Sequence, residues 1–381
     1  MRILFLNGSL EPGHDGVGDY IRRLALEMQR VGNQIACMAL YDHYVIQEES
    51  NVNKLKYEGH LIIRLPALWP EEMRFERAQY WITKFNPEWL SLQFVPWSFN
   101  FRGLPFNLGK RLGLLGAGRS WHIMIHELWV GMNHEASVKH VVLGMMQRHI
   151  IKKLIFGIKP KIIHTQTLLY KTQLARLGFE SQYLPLFSNI PNVRKDKWMP
   201  SISDNKPGNC HCKAIYLVVF GIIYPGVQLQ KLACDAFQYA TKNSVSVVLT
   251  MIGRCGSEQE RWTTIWKQAG LPVEVLGVRT SEEISSALLK SSLGVATTPA
   301  FLISKSGTAA AMQEHGLPVI CLSPPWNPRR ITEDNLVLPD GIMLYEEGNL
   351  EYYLSQKFDS SLAVKVSDVA SQLSTVFQNL I

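Results

Sequence analysis

Ser304–Ile320 reads SKSGTAAAMQEHGLPVI. A lysine, two hydroxyls and a glycine open an alanine-rich stretch, and Gly316, Leu317 and Pro318 lead into the apolar Val319 and Ile320. Just before it, Leu293–Thr297 has the pattern of a buried strand and Pro299–Ser304 that of a loop. A helix is therefore expected to start near Ser306 or Gly307. The first N–H groups of a helix lack partners, and its dipole places about half a positive charge there. Gly307 leaves room for an anion, Ser306 and Thr308 can cap the helix or donate to the anion, and Lys305 adds a full charge. At a strand's carboxyl end this combination predicts a phosphate cradle. The plainer alternative is a capped helix beside a solvated lysine.

Outward from this stretch, apolar runs alternate with helical patterns. In the first half the runs are Ile3–Leu6, Ile35–Leu40, Leu61–Leu65, Trp89–Val95, His122–His126, Ile162–His164 and Tyr183–Leu186. In the second half they are Ile215–Phe220, Val245–Ile252, Val273–Leu276, Leu293–Thr297 and Val319–Leu322. Strands spaced by helices predict βαβ units and parallel sheets. Residues 191–212 are rich in Pro, Gly, Ser, Asp and Asn and are expected to form a linker. The expected class is α/β: two Rossmann-like domains, 1–190 and 213–350, whose parallel sheets face a central cleft, followed by a helical tail over 351–381. Ligands of such sheets collect at the carboxyl ends of the strands.

Two further loops hold equivalent positions. Gly221 follows the first strand of the second half, and Gly253-Arg254 follows the next. Either glycine permits close backbone approach, and Arg254 can pair with a phosphate through two parallel bonds. In the first half, Gly8, Gly13, Gly16 and Gly18 make an open loop. Ile21, Leu24, Ala25 and Met28 then mark one face of a helix that Gly32 closes. The glycine spacing is not G-x-G-x-x-G, which argues against a dinucleotide domain.

The composition narrows the class. Of 381 residues, 46% are hydrophobic and 19% charged, which fits a packed core and excludes wholesale disorder. No apolar run reaches the roughly 18 residues of a membrane span. The opening MRILFLNGSL lacks the length and cleavage site of a signal peptide, so a buried first strand in a cytoplasmic protein is expected. Among six cysteines only Cys210-His211-Cys212 cluster, without a second ligand pair, so reduced thiols and no zinc site are expected. The net charge is +7, and residues 1–190 carry all of it, with 22 Lys and Arg against 15 Asp and Glu. That asymmetry suits an anionic partner for the first half, or a solvated basic face. No helix-turn-helix or RRM pattern accompanies it, so no nucleic-acid partner is expected.

Asp15-Gly16-Val17-Gly18-Asp19-Tyr20-Ile21-Arg22-Arg23-Leu24-Ala25 and Gly316-Leu317-Pro318-Val319-Ile320 carry a resemblance. Over nearly its whole length the sequence resembles the GT-B glycosyltransferases, above all the family-4 type (glycosyl transferases group 1). The resemblance implies that the second domain binds a nucleotide diphosphate sugar and the first binds the acceptor. It implies that Gly16 and Gly18 approach the donor's phosphate or sugar. It also implies that His126, at the end of the apolar run Trp121–Ile125, meets the sugar near the transferred carbon. Glu127 can then orient the imidazole or accept from a sugar hydroxyl, and His164, ending the next run, is a second candidate.

The resemblance breaks at one place. Family-4-type enzymes carry two glutamates eight residues apart here, and the aligned positions hold Ile303 and Ala311. The turn Lys305-Ser306-Gly307-Thr308 is instead similar to that of the inverting GlcNAc transferase of peptidoglycan precursor synthesis. There a glutamate seven residues beyond the serine holds the ribose. Counting from Ser306 gives Gln313, whose amide both donates and accepts, whereas counting back from Gly316 gives Ala311. The ribose ligand and the anomeric outcome stay open.

The expected activity is transfer of a hexose from a nucleotide diphosphate sugar to a hydroxyl acceptor, retaining by resemblance, in bacterial polysaccharide or glycolipid synthesis. The donor is a substrate and no cofactor is implied. The cradle would stabilise the departing diphosphate. Retention lets that phosphate take the acceptor's proton, whereas inversion needs a base, with Asp19 and His126 as candidates. The sequence contains no Asp-x-Asp pair, so no metal is expected. Tyr20, and Trp97 within the aromatic Trp89–Phe101, are candidates on the acceptor side. With the basic first half they suggest an anionic or lipid-linked acceptor and peripheral contact with the inner membrane face. A nucleotide-sugar 2-epimerase, and a non-catalytic relative that binds nucleotide sugar, are the competing classes.

Overall fold

The computed structural model describes residues 1–51, 60–193, 214–331 and 336–380. The expected linker at 191–212 therefore lies almost wholly outside the described residues, as do Cys210, His211 and Cys212.

The strands of the first half are β1 (Arg2–Asn7), β2 (Gln34–Asp42), β3 (Glu49–Ser50), β4 (Leu61–Pro66), β5 (Trp89–Phe94), β6 (Ser120–Ile125), β7 (Ile162–Thr165) and β8 (Gln182–Tyr183). They form one sheet in the order β3-β4-β2-β1-β5-β6-β7-β8. All neighbours are parallel except β3, which runs antiparallel on the edge. The second sheet is built from β9 (Ala214–Phe220), β10 (Ser246–Ile252), β11 (Val273–Gly277), β12 (Leu293–Ala296), β13 (Val319–Cys321) and β14 (Ile342–Leu344). Its order is β11-β10-β9-β12-β13-β14, parallel throughout. Among the described residues, helices connect the successive parallel strands except β2 to β4 and β13 to β14.

Each sheet is buried on both faces. In the second, Leu217 and Val219 of β9 join Trp262 and Trp266 on one side. Val218, between them in sequence, joins Met312, Val319 and Leu288 on the other. The strand order reverses at β1/β5 in one sheet and at β9/β12 in the other. Those switch points leave a crevice beyond the strand ends, where α/β sheets take their ligands.

The chain divides into two compact units. The first holds Met1–Pro185, Asn327–Ile331 and Lys365–Ile381, and the second holds Leu186–Trp326 and Thr332–Val364. Residues 351–381, taken from the sequence as one helical tail, are thus shared out. The helix Leu350–Ser355 lies in the second unit and Val366–Asn379 in the first. The reason is packing: Phe377 stacks on Trp89 of β5 with ring centroids 4.4 Å apart, and Ser374 Oγ accepts from Asn33 Nδ2 at 3.0 Å.

Candidate active site

In the second unit, the loops after β9, β10 and β12 converge. Gly221 has φ +80°, and a Cβ there would stand 2.9 Å from Thr308 Cγ2. Gly253, φ +85°, lies against Gly221, whose N and Cα would be 3.5 and 3.6 Å from an added Cβ. Thr297 Oγ1 accepts from Tyr224 N at 3.0 Å, tying the β9 loop to the end of β12. The helix Gly307–Glu314 starts at this edge. Its N-cap is Ser306, which accepts from Ala309 N, and the Thr298 and Thr308 hydroxyls lie 3.2 and 3.0 Å from Ser306 Oγ. Ser306 is buried and committed to the cap, while Gly307 is exposed with no atom within 4 Å of an added Cβ. The open helix end therefore belongs to Gly307 and its N–H, with Lys305 one residue before the cap. Arg254 is exposed on the neighbouring loop.

Gln313 lies elsewhere. It sits six residues along the helix, about 9 Å of axial rise from Gly307, and its Nε2 donates to the Asp340 carbonyl. Ala311 is fully buried in the core. Neither candidate for the ribose stands at the helix start. Glu314 is buried, and its carbonyl accepts from Asn192 Nδ2 at 3.1 Å.

In the first unit the glycine loop is fastened from several sides. Asn7 Nδ2 donates to Ser9 O and Asp15 Oδ2, and Asp15 Oδ1 caps the helix Gly16–Arg30 by accepting from Val17 N. Asp42 accepts from Leu10 N at 3.1 Å and pairs with Arg64 at 2.8 Å. Burial would raise the Asp42 carboxyl, but the bonds from Arg64, Leu10 and Tyr44 outweigh it and hold it below the usual range. Asp19 Oδ1 accepts from Gly13 N at 3.0 Å, and burial raises its pKa against that bond.

The two glycines of the motif differ. Gly16 has no atom within 4 Å of an added Cβ, so open space faces it. Gly18 is buried, and a Cβ there would stand 3.1 Å from Ser9 O and 3.3 Å from Leu10 Cα, so its lack of a side chain lets the loop pack on its own helix. Gly8 does the same across the switch point, where a Cβ would overlap Ser98 O at 1.8 Å.

His126, just past β6, is buried with both ring nitrogens engaged. Gln93 Oε1 lies 2.9 Å from Nε2 and Gln166 Oε1 lies 3.2 Å from Nδ1. The ring of Tyr20 meets His126 edge-on at 5.2 Å. Tyr20 is only 2% exposed, which corrects its assignment to the acceptor side. It lies on the apolar face that Ile21, Leu24, Ala25 and Met28 share, and so presents no ring face to a ligand. Trp97 is 38% exposed. The aromatic stretch divides accordingly: Trp89 and Phe94 are core, whereas Trp97 and Phe101 reach solvent. Glu127 follows His126 and is half-buried.

A chain of hydrogen bonds that sequence reasoning missed runs inward from His126. Gln93 Nε2 donates to Ser91 Oγ at 2.8 Å, Ser91 Oγ meets His122 Nδ1 at 2.8 Å, and His122 Nε2 meets His164 Nδ1 at 3.1 Å. Ser91 and Gln93 lie two apart on one strand, hence on one face. Two polar residues on one face of an otherwise apolar strand were the available signal. Burial, then the neighbouring His164 and His126, pushes His122 well below its usual pKa, and burial lowers His164 to about 4. His164 is therefore a neutral interior group. Among the described residues, no cluster of three His, Cys, Asp or Glu is placed to hold a metal ion, and no helix is long and apolar enough to cross a membrane.

No family model matches the sequence, and no match to a curated protein sequence is found. Solved structures do match over the full chain. A glycosyltransferase from Rickettsia africae superposes with TM-score 0.60 at 10% identity, covering 100% of this chain and 98% of that one. Anabaena HepE, solved with UDP and glucose, gives 0.55 at 14% identity, covering 100% and 98%. A putative UDP-N-acetylglucosamine 2-epimerase from Listeria monocytogenes gives 0.56 at 12% identity, covering 99% and 95%. The chain has the GT-B fold, with two Rossmann-like units, a fold shared by nucleotide-sugar glycosyltransferases and UDP-N-acetylglucosamine 2-epimerases.

Proposed function

We propose that the protein is a glycosyltransferase that moves a hexose from a nucleotide diphosphate sugar to a hydroxyl acceptor. The observation that carries this reading is the convergence of Gly221, Gly253 and Thr308 on the open helix end at Gly307. Two glycines with positive φ, a helix N-terminus open at Gly307 and a nearby lysine suit a diphosphate. HepE, a structural neighbour, was solved with UDP and glucose, which supports the donor class.

In the proposed reaction the bond from the anomeric carbon to the diphosphate oxygen breaks and the bond to the acceptor oxygen forms. The helix end and Lys305 stabilise the charge gathering on the diphosphate. The acceptor's proton goes to the departing phosphate if configuration is retained. If it is inverted, Asp19, whose burial lifts its carboxyl pKa, is the candidate base, because Gln93 and Gln166 occupy both ring nitrogens of His126. His126, fixed by Gln93 and Gln166, would face the sugar. The proposed setting is bacterial polysaccharide or glycolipid synthesis on the cytoplasmic side, with the basic first half near the inner membrane.

Thermal-shift titration with UDP-, GDP- and ADP-sugars tests the donor. A ligand at a hundred times its dissociation constant adds about 2.7 kcal/mol of stability. The absence of a shift with all three sinks the reading. Conversion of UDP-N-acetylglucosamine to its 2-epimer without acceptor would assign the epimerase class instead.

A further inference from the structure

The loop that follows His126 forms one wall of a cavity of about 520 Å³ in the first unit. Trp129, Met132 and Met145 give it an apolar side, and Arg148, Arg176, Arg329 and Arg330 line the rest. No carboxylate is among the described residues that line it. Four arginines lining one hollow concentrate positive charge there and suit an anion.

The arginines come from three parts of the chain. Arg148 projects from the helix Val138–Ile158, with its guanidinium 5.8 Å from the centre of the Trp129 ring. Arg176 ends the helix Leu168–Arg176 and donates to Arg330 O at 2.5 Å. Arg329 and Arg330 arrive on Asn327–Ile331, which belongs to the first unit although it lies late in the sequence. That segment is strapped down. Arg329 N donates to Met132 O at 2.8 Å, its Nε donates to Asn133 O at 3.2 Å, and Asn327 N donates to Asn133 Oδ1 at 3.0 Å. Arg330 itself has φ +65°, a left-handed conformation that costs energy in a residue with a side chain. The strap therefore brings two arginines to the cavity on a backbone that is costly at Arg330. The Val138–Ile158 helix contains no acidic residue to offset it.

We propose that this cavity binds a phosphate ester, its phosphate held by Arg148 and Arg330 and its organic part resting on Trp129 and Met145. Guanidinium groups match phosphate oxygens through paired hydrogen bonds, and the apolar wall selects an ester over inorganic phosphate. Trp129 stands three residues beyond His126. Resting on the glycosyltransferase reading, the ligand is the acceptor, a phosphorylated molecule that presents a hydroxyl to the sugar.

Calorimetric titration of the full-length protein with phenyl phosphate, with phenol as the neutral control, tests the site. The double variant Arg148→Gln/Arg330→Gln changes two exposed side chains and should keep its melting temperature. Phenyl phosphate should bind the parent, phenol should not, and the double variant should bind at least tenfold more weakly. Sedimentation with phosphatidic acid and phosphatidylcholine vesicles separates the sources. Arginine-dependent binding to phosphatidic acid alone places the phosphate on a lipid, and titration by phenyl phosphate without vesicle binding places it on a soluble ester. Equal binding by parent and variant overturns the proposal, as does silence in both arms or displacement of phenyl phosphate by UDP. If UDP-, GDP- and ADP-sugars all fail to shift the parent's melting while arginine-dependent phosphate binding persists, the donor reading falls and the pocket stands.

Discussion

Gln93 Oε1 stands 2.9 Å from His126 Nε2, and through Gln93 the imidazole is joined to Ser91, His122 and His164 inside the sheet. The ring is thereby fixed from behind, and its position at the carboxyl end of β6 is set by the interior. His126→Ala should lose on the order of a hundredfold in turnover, the scale of a single acid–base or electrostatic contribution. Donor affinity should change little. Initial rates and donor titration on the purified variant check this. Near-parental turnover would move the chemistry to Asp19, and a collapsed melting temperature would make His126 a structural residue.

Gly307 and Gly221 give opposite expectations for stability. Gly307 has free space around an added Cβ and no positive φ, so Gly307→Val should melt like the parent yet lose its thermal shift with the nucleoside diphosphate. Gly221→Val meets Thr308 and a φ of +80°, so it should melt lower even without ligand. Lys305→Ala should weaken the nucleotide about tenfold, or about 1.4 kcal/mol. Unchanged nucleotide binding in both Gly307→Val and Lys305→Ala would remove the cradle from the site.

His164 makes stability depend on pH. Its folded pKa, about 4, lies below the ordinary histidine value of 6.5, so the unfolded chain holds more protons between those values. Stability is then complete above pH 6.5 and falls as the pH drops toward 4, by on the order of 3 kcal/mol for this group. His164→Leu should flatten that part of the curve. Melting curves from pH 7 to pH 5 on parent and variant give the answer, and identical slopes would refute the assignment.

The Trp89–Phe377 stack predicts that the chain's last helix is structural. Phe377→Ala should destabilise the first unit by about 3–5 kcal/mol, the usual cost of an aromatic-to-alanine change in a core. Denaturant unfolding followed by tryptophan fluorescence measures it. A change below about 1 kcal/mol would show that the helix rests on the surface only.

Much of the fold was legible because a parallel strand buried on both faces leaves an unbroken apolar run. Ile215–Phe220 and Val245–Ile252 are such runs, and β9 and β10 lie on them. β3, two polar residues on an antiparallel edge, and β14, three residues long, carry too little pattern to be read. Tyr183–Leu186 shortened to Gln182–Tyr183 because only two residues pair with β7. Gly221, Gly253 and Thr308 could be foreseen, since strand-end loops of neighbouring strands must meet. The partners of His126 could not, because Gln166 reaches it from 40 residues away along the chain. Nor does an amphipathic stripe on a helix say which sheet it covers, which is why Phe377 was assigned to a tail.

The return of Asn327–Ile331 and Lys365–Ile381 to the first unit has a consequence for how the protein is made. On the ribosome, the first unit's sheet strands emerge before any of the second unit's. Yet Trp89 must wait for Phe377, and the strap bearing Arg329 and Arg330 also comes late. Nearly 200 residues separate Pro185 from the end of the helix Val366–Asn379. At roughly 5–20 residues per second the nascent first unit is left incomplete for about 10–40 s. The second unit, finished at Val364, waits for no later part of the chain. The half that begins first is completed last, and a stalled or truncated transcript yields a chain whose basic half exposes the side of Trp89 that Phe377 would have covered.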